Sequence, residues 1–497
     1  MLSAGLVVVG RLRIIPTLAA MGALALASRA LGAPADEAPD VTIRFSSTAT
    51  TAFEPAPEPE GLNLTRLVAL ALDDSFQVKV SQREVDQARA LRELAISLAY
   101  PRGTAQVVFG GPTPEAKTTV KNDISTVTES SLGGDLDFGE LGVTVRGGVQ
   151  ALVPIYTFGQ IDNAKQATEH LVDAAKHQVT SVRAQVVLDL TRAYWGWQLL
   201  SSLLESLEEG QNRLEGVLEQ IEELLDNDSP QVTENDRLRL EFALSTLAVR
   251  RAEAEGGLAQ VAQAIRILIG RPQRAALELR RERLEAAVPD ELPSVEGLVA
   301  AAQGERPELL ALRKVVEAQR AYKALRVAQV FPSFFFGGFL NFAYTSNATD
   351  QTNPFIRDPF NDFDVALGLG MQLELDVFTK LAQIEQADAD MNLRKQQEVL
   401  ATEAAELEVR SLHAQIAAEM EQTRKLERAN LSARGWLTAS TLAYDIGAGR
   451  ADELIDAFLA WATSEAELQS TRYDNLVHFT ELARATGRLV ESRRRAD

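Results

Sequence analysis

Two stretches of this chain run for more than sixty residues without a proline, and few folds can hold both. Gln160 to Asp226 could be one helix of 67 residues, and Thr379 to Tyr444 one of 66. At roughly 1.5 Å per residue each is about 100 Å long. Two nearly equal rods of that length do not pack inside a small globule. In the first, Val172, Ala175, Val179, Val182 and Val186 step by three and four. The seam then takes two steps of four through Leu190 and resumes at Ala193, Trp197, Leu200, Leu204 and Leu207. Heptads with a four-residue stutter describe a coiled coil with locally relaxed supercoiling. A plain rod or scaffold coiled coil is the simplest such protein, and it leaves the remaining segments unexplained.

Those segments are written twice. LNLTRLVALALDDS opens an apolar-periodic helix that ends at Tyr100-Pro101, and GERPELLALRKVVEAQRAYKALRVAQVFP ends the same way at Phe331-Pro332, an offset of 231. Tyr156 and Phe378 correspond at 222, and the leucine-rich stretches closing at Gly270 and Gly487 correspond at 217. Three landmarks in one order indicate an internal duplication. Each half then reads helix, strand, polar loop, strand, long helix and return helix. The first repeat spans 62–295, with strands about 103–110 and 141–153, long helix 160–226 and return helix 232–269. The second spans 296–490, with strands about 333–344 and 364–375, long helix 379–444 and return helix 451–487.

The second strand of each half alternates strictly. Val143, Val145, Val149, Ala151 and Val153 share one face, against Thr144, Arg146 and Gln150 on the other. Val365, Leu367, Leu369, Met371, Leu373 and Leu375 oppose Ala366, Gly368, Gly370, Gln372 and Glu374. About ten residues of alternation suit a tilted membrane-barrel strand, apolar side to lipid and polar side to a lumen. A half-buried strand of a soluble sandwich alternates in the same way, but the chain offers no further strands to complete one. SFFFGGFLNFAY sets Phe334, Phe336, Phe342 and Tyr344 in phase, as in an aromatic girdle. TAQVVFG is a shorter fourth strand. Four strands cannot close alone, so a barrel requires several copies of the chain.

Residues 1–35 read as a secretory signal: Arg11 and Arg13, an apolar run from Ile14 to Ser28, and Ala33-Pro34-Ala35 before Asp36. The alternative is an N-terminal anchor helix, although the run falls short of the roughly 20 residues that span a bilayer. A Pro/Glu-rich segment, 36–61, follows, and 491–497 is a tail. Removing 1–35 takes away Arg11, Arg13 and Arg29 and no acid, so the net charge moves from −20 to −23. So acidic a protein is a poor partner for nucleic acid. After the signal no apolar run reaches eighteen residues, which leaves only closed strands as a way through a bilayer.

Catalysis finds little support. The chain has no cysteine and four histidines, His170, His177, His413 and His478. Thiol chemistry is excluded, zinc ligands are scarce and phosphate-binding glycine motifs are absent. No enzyme activity, metal or cofactor is expected.

The junction VPIYTFG (153–159), the two strand-leading prolines, GERPELLAL and YDIGAGRADELIDA (444–457) resemble the TolC family of outer-membrane efflux proteins over roughly residues 62–490. The resemblance implies a mixed, mainly α fold: a homotrimer with four strands per chain in a twelve-stranded transmembrane β-barrel, continued across the periplasm by an α-helical barrel of coiled coils. It implies a passive, tip-gated export channel of a Gram-negative outer membrane, in contact with its lipid. Such a channel is recruited by a periplasmic adaptor (membrane fusion) protein and an inner-membrane transporter, for multidrug or metal efflux or for type I secretion. Pro154 and Gly159 match the barrel-to-helix junction, proline ending the strand ladder and glycine permitting the bend. The second half departs here, with Asp376 at the proline position and no glycine before Ala382. Tyr444 and Gly447 match the turn at the periplasmic tip, a site of adaptor contact, and Glu453 and Asp456 an acidic ring at the closed entrance. Asp236 matches the acid that ties the neighbouring coiled coil to that entrance. Gly449 stands where the family has its basic partner, so Tyr444 and Arg450 are the candidate bonding groups. The other tip, LLDNDSPQVTEND, has Asn-Asp-Ser-Pro in place of a glycine-centred turn.

Overall fold

A computed structural model of the chain describes residues 61–115, 137–227, 232–285, 292–346 and 361–489. The signal segment, nearly all of 36–61 and the tail lie outside the described residues, as does the 228–231 part of the first tip.

Each repeat opens with two helices where the sequence suggests one. Helices α1 (Leu64–Asp74) and α2 (Phe76–Ser97) part at Ser75, and α5 (Val295–Glu305) and α6 (Pro307–Ala328) part at Arg306. The second break follows from Pro307, which occupies the first helical position and forces Arg306 out of the helical region, at φ −66°, ψ 119°. Strands β1 (Arg102–Glu115), β2 (Asp137–Tyr156), β3 (Ser333–Thr345) and β4 (Asp362–Gln372) form one antiparallel sheet in the order β1-β2-β3-β4. The long helices are α3 (Gln160–Asp226) and α7 (Val377–Asp445), and the return helices are α4 (Glu234–Leu268) and α8 (Ala451–Ala485).

Strand β4 stops at Gln372, three residues before the expected end, and α7 starts two residues before its expected start. Gln372 pairs with Ser333, the first residue of β3, so Leu373 to Leu375 have no neighbouring strand to join. Strand β2 does the reverse. It continues through Pro154, opposite Phe335, to Tyr156, opposite Phe334, with an irregularity between the two. Proline removes one donor but does not end this strand.

The helices repeat the order of the strands. Helix α3 packs between α2 and α6, and α6 between α3 and α7, so the series α2-α3-α6-α7 lies end to end with β1-β2-β3-β4. The duplication is physical as well as textual: Gly270 (φ +66°) closes α4 against the Asp74 carbonyl, and Gly487 (φ +78°) closes α8 against the Glu305 carbonyl. A Cβ would fall 2.3 and 2.5 Å from those two oxygens, so both helix ends require glycine.

The core is discontinuous along the rod. One cluster joins α1, α3 and the end of α4 around Leu67, Leu190, Tyr194 and Ile265. A second joins α5, α7 and the end of α8 around Ala302, Val409 and Ile416. The third gathers α3, α4, α7 and α8 at the far end around Leu214, Ile221, Leu240, Leu454 and Phe458. In α3 the expected seam is buried at Val172, Val186 and Leu190, and a second buried stripe runs beside it through Ser181, Ala184, Val187, Thr191, Tyr194, Gln198 and Ser201. Ala193 and Trp197 are only half-buried. A helix flanked by α2, α4, α6 and α8 buries the sides that meet all of them, and no single heptad face describes that.

Candidate functional site

Two places along the rod carry the residues singled out by the sequence. The first is the tip, where α7 turns into α8. Helix α7 ends at Asp445, and Gly447 takes φ +72° just beyond it. The amide of Ala448 and that of Gly449 both donate to the Ala443 carbonyl, at 2.9 and 2.8 Å. Gly449 crosses so close that a Cβ would stand 2.7 Å from the Tyr444 nitrogen. The turn is built by backbone, and the two glycines make it possible.

Past the turn, Ala451, Leu454, Ile455, Ala457 and Phe458 bury one face of α8. That leaves Glu453 and Asp456, one helical turn apart, exposed on the opposite side. Phe458 is seated against Gly210 of α3, where a Cβ would come within 2.4 Å of the ring.

The ionic partners differ from those the resemblance implied. Arg450 donates in bidentate fashion to Asp452, at 2.9 and 2.7 Å, rather than to Asp236. That fork holds the Asp452 carboxyl below its usual range. Asp452 also accepts from the Glu453 amide at 3.0 Å, in the first turn of α8. Asp236 instead caps its own helix: its Oδ2 accepts from the Thr233 amide at 2.9 Å and from the Thr233 hydroxyl at 2.7 Å, completing a capping box. Tyr444 does not reach Asp236. Its hydroxyl is buried and has no hydrogen-bond partner among the described residues. Burial, and after it the nearby carboxylates of Asp236 and Asp445, push that phenol upward. Arg239 of α4 links the two helix pairs, 4.0 Å from Asp452 and 3.8 Å from Asp456. Neither Asp452 nor Arg239 was visible as a site residue, because their pairing depends on how α4 lies against α8.

The second place is the passage from sheet to helix. At the first junction Phe158 (φ +51°) and Gly159 (φ +87°) make the bend, four residues after Pro154, and Gly159 caps α3. Gln160 then donates to the carbonyls of Ala328 and Phe331 and to the Ser333 hydroxyl, at 3.3, 3.4 and 3.3 Å, tying α3 to the end of α6. The second junction has no glycine and uses a lysine. Lys380, with its side chain only 8% exposed, donates to the carbonyls of Gln329 at 2.8 Å and Glu374 at 3.2 Å. The Glu374 and Asp376 carboxylates lie 3.6 and 3.8 Å away. Its ammonium thus holds the unpaired chain between β4 and α7 against the end of α6.

The same architecture occurs in solved structures. CusC, described for its folding and transmembrane channel formation, aligns with a TM-score of 0.69 at 17% identity, over 85% of this chain and 92% of its own. The CmeC outer-membrane channel of Campylobacter jejuni gives 0.69 at 14%, over 87% and 89%. The open state of the MtrE outer-membrane channel of Neisseria gonorrhoeae gives 0.68 at 16%, over 86% and 89%. By sequence, the outer membrane protein TolC of Vibrio cholerae is 26% identical over 242 residues, 48% of this chain.

The chain has the TolC-family fold.

No protein-family model matches the sequence, and the chain spans about half the length of the curated TolC relative it matches, 53%. Among the described residues no helix is long and apolar enough to cross a membrane.

Proposed function

We propose that this chain is one subunit of a trimeric outer-membrane export channel, a passive conduit that reaches through the periplasm. The observation that carries this reading is the sheet. Its register places Val107 and Phe109 on one face with Val149, Phe336, Leu340, Phe342, Val365, Leu367, Leu369 and Met371. Leu367 is 74% exposed and Leu369 79% in the single chain. An exposed apolar face of that extent, backed by Thr104, Gln106, Arg146, Gln150, Asn341 and Asp364, suits lipid outside and water inside.

Among the described residues no further strand lies beside β1 or β4, and no further helix lies beside the flanks of α2 and α7 that continue them. Lipid does not tolerate an open strand edge. Pairing β1 of one copy with β4 of the next is a head-to-tail contact, which closes into a ring when the rotation is right. Apolar residues left exposed on the two flanks, Phe76, Val80, Leu91 and Leu94 on α2 and Leu381, Leu393 and Leu400 on α7, would be covered by the same contact. A rod-like scaffold leaves this sheet without a role.

At the tip, Glu453 and Asp456 would line the entrance, three copies of each, and the turn around Gly447 and Gly449 would face a periplasmic adaptor serving an inner-membrane transporter. Cargo is selected there among drugs, metal ions and secreted polypeptides. Mass measurement on detergent-solubilised protein tests the architecture. A protein mass near three chains is expected, and a monodisperse monomer with intact strand signal overturns it.

A further inference from the structure

The water-facing side of the sheet is not uniformly polar. Toward the loops it carries Arg146, Asn341 and Asp364. Toward the helices the same face carries Leu152, Phe335, Phe339, Ala366 and the bare backbone of Gly337, Gly368 and Gly370 on its β3–β4 side, with Arg102, Thr104 and Gln150 on its β1–β2 side. A groove of about 580 Å³ lies over this tier. Phe335 does not stand upright there. Its ring is folded across the neighbouring strand, so that a Cβ on Gly370 would fall 2.4 Å from the ring. Phe339, four residues nearer the loops on the same face, is 41% exposed. Gly368 has nothing within 4 Å of a built Cβ and leaves open space between the two rings' partners on β4.

We propose that Phe335 and Phe339 form an aromatic collar inside the barrel, at its helix end, and set the width and apolarity of the lumen there. Gly370 holds the collar open by giving the Phe335 ring a flat seat. The inference rests on the reading that three copies close into a barrel. Twelve strands about 4.8 Å apart and tilted about 40° enclose a backbone cylinder about 24 Å wide, so a tier of three Phe339 rings and, about 10 Å nearer the helices, a tier of three Phe335 rings govern its aperture. Such a collar disfavours bulky hydrated ions and offers aromatic faces to apolar or planar organic cargo. Any side chain at 370 would lift the Phe335 ring off the wall and narrow the passage.

The chain has no cysteine, so a single introduced thiol reports its own surroundings. Gly368→Cys is made in full-length trimers reconstituted in lipid vesicles and treated from outside with a small charged methanethiosulfonate and a bulky polymer-linked one. Leu367→Cys is the lipid-side control. The collar predicts modification at 368 and none at 367, with the bulky reagent slower at 368 by roughly tenfold, a barrier of about 1.4 kcal/mol. Phe339→Ala, or Phe335→Ala with Phe339→Ala, should remove that size discrimination. Gly370→Val should lower single-channel conductance by lifting the Phe335 ring into the passage, and adding Phe335→Ala should restore it. Equal rates for both reagents at 368 in the parent, or discrimination unchanged by loss of the rings, overturn the collar while leaving the barrel intact. Modification at 367 but not at 368 overturns the barrel reading and the collar with it.

Discussion

Arg239 on α4 stands 3.8 Å from Asp456 on α8, across the groove between the two helix pairs at the tip. Of the two acids proposed to line the entrance, Asp456 therefore has a cation beside it and Glu453 has no ion pair among the described residues. The pair is half-exposed, and such pairs contribute only about 0 to 1 kcal/mol. Its effect on local potential is larger than its effect on stability. Glu453→Gln with Asp456→Asn should weaken cation preference and divalent block in single-channel recording, whereas Arg239→Gln should strengthen both. Parent-like selectivity in all these variants would reduce the acids to solvated surface.

Asp236 holds the start of α4 through its bonds to Thr233. Asp236→Ala removes both, and a lost cap costs about 1 kcal/mol. Faster hydrogen exchange at 234–238 is expected for the alanine variant, with a rise in resting conductance. Asp236→Asn keeps an acceptor and should remain close to the parent in exchange. If the asparagine variant frays as much as alanine, charge rather than capping organises this end.

Leu369 and Gly370 are neighbours on β4 that point to opposite faces of the sheet. Arginine at 369, toward the helix end of the strand, should cost less than the roughly 2 to 4 kcal/mol of a midplane position and still lower the yield of assembled trimer. Arginine at 370 should instead alter the pore. Equal assembly yields for the two variants contradict the assignment of faces.

Lys380 satisfies two backbone carbonyls in a place where little water reaches. Lys380→Met keeps the aliphatic stem and leaves those acceptors bare, a penalty of about 1 to 3 kcal/mol. A lower thermal midpoint is expected, with increased protease sensitivity between β4 and α7. An unchanged midpoint would mean that the carbonyls find other donors.

Glu419 on α7 and His478 on α8 meet at 2.6 Å beside the buried Asn475. Burial, more than the opposing pull of His478, raises the Glu419 carboxyl, and burial raises Asp474 as well. A raised acid binds more protons folded than unfolded. Stability therefore falls as pH rises from the unfolded carboxylate range, about 4, through the folded value. Measured against the parent across that window, Glu419→Gln should lose this falling contribution, so that its thermal midpoint declines less with pH. A slope unaffected by the substitution would assign the pH dependence to other groups.

Much of this molecule is legible along the chain, because helix and strand periodicities are local properties. Proline-free spacing marks α3 from Gln160 to Asp226, and strict alternation marks the faces of β2 and β4. The offsets of Pro101 from Pro332 and of Gly270 from Gly487 reveal the duplication, because each residue ends an element in a way that few others can. What the sequence leaves open is every choice between partners that lie far apart in it. Asp236 bonds to Thr233 and Arg450 to Asp452, although a reading by motif joins the two across the tip. Lys380 supplies the second junction with a device that shares no residue type with Gly159. Pro154 stays within β2 because β3 happens to extend far enough to pair beside it. Phe335 lies flat because the opposing rung of β4 is glycine. Each outcome is set by the rotation and register of one element against another, and those are fixed only when the whole layer of helices and strands packs together.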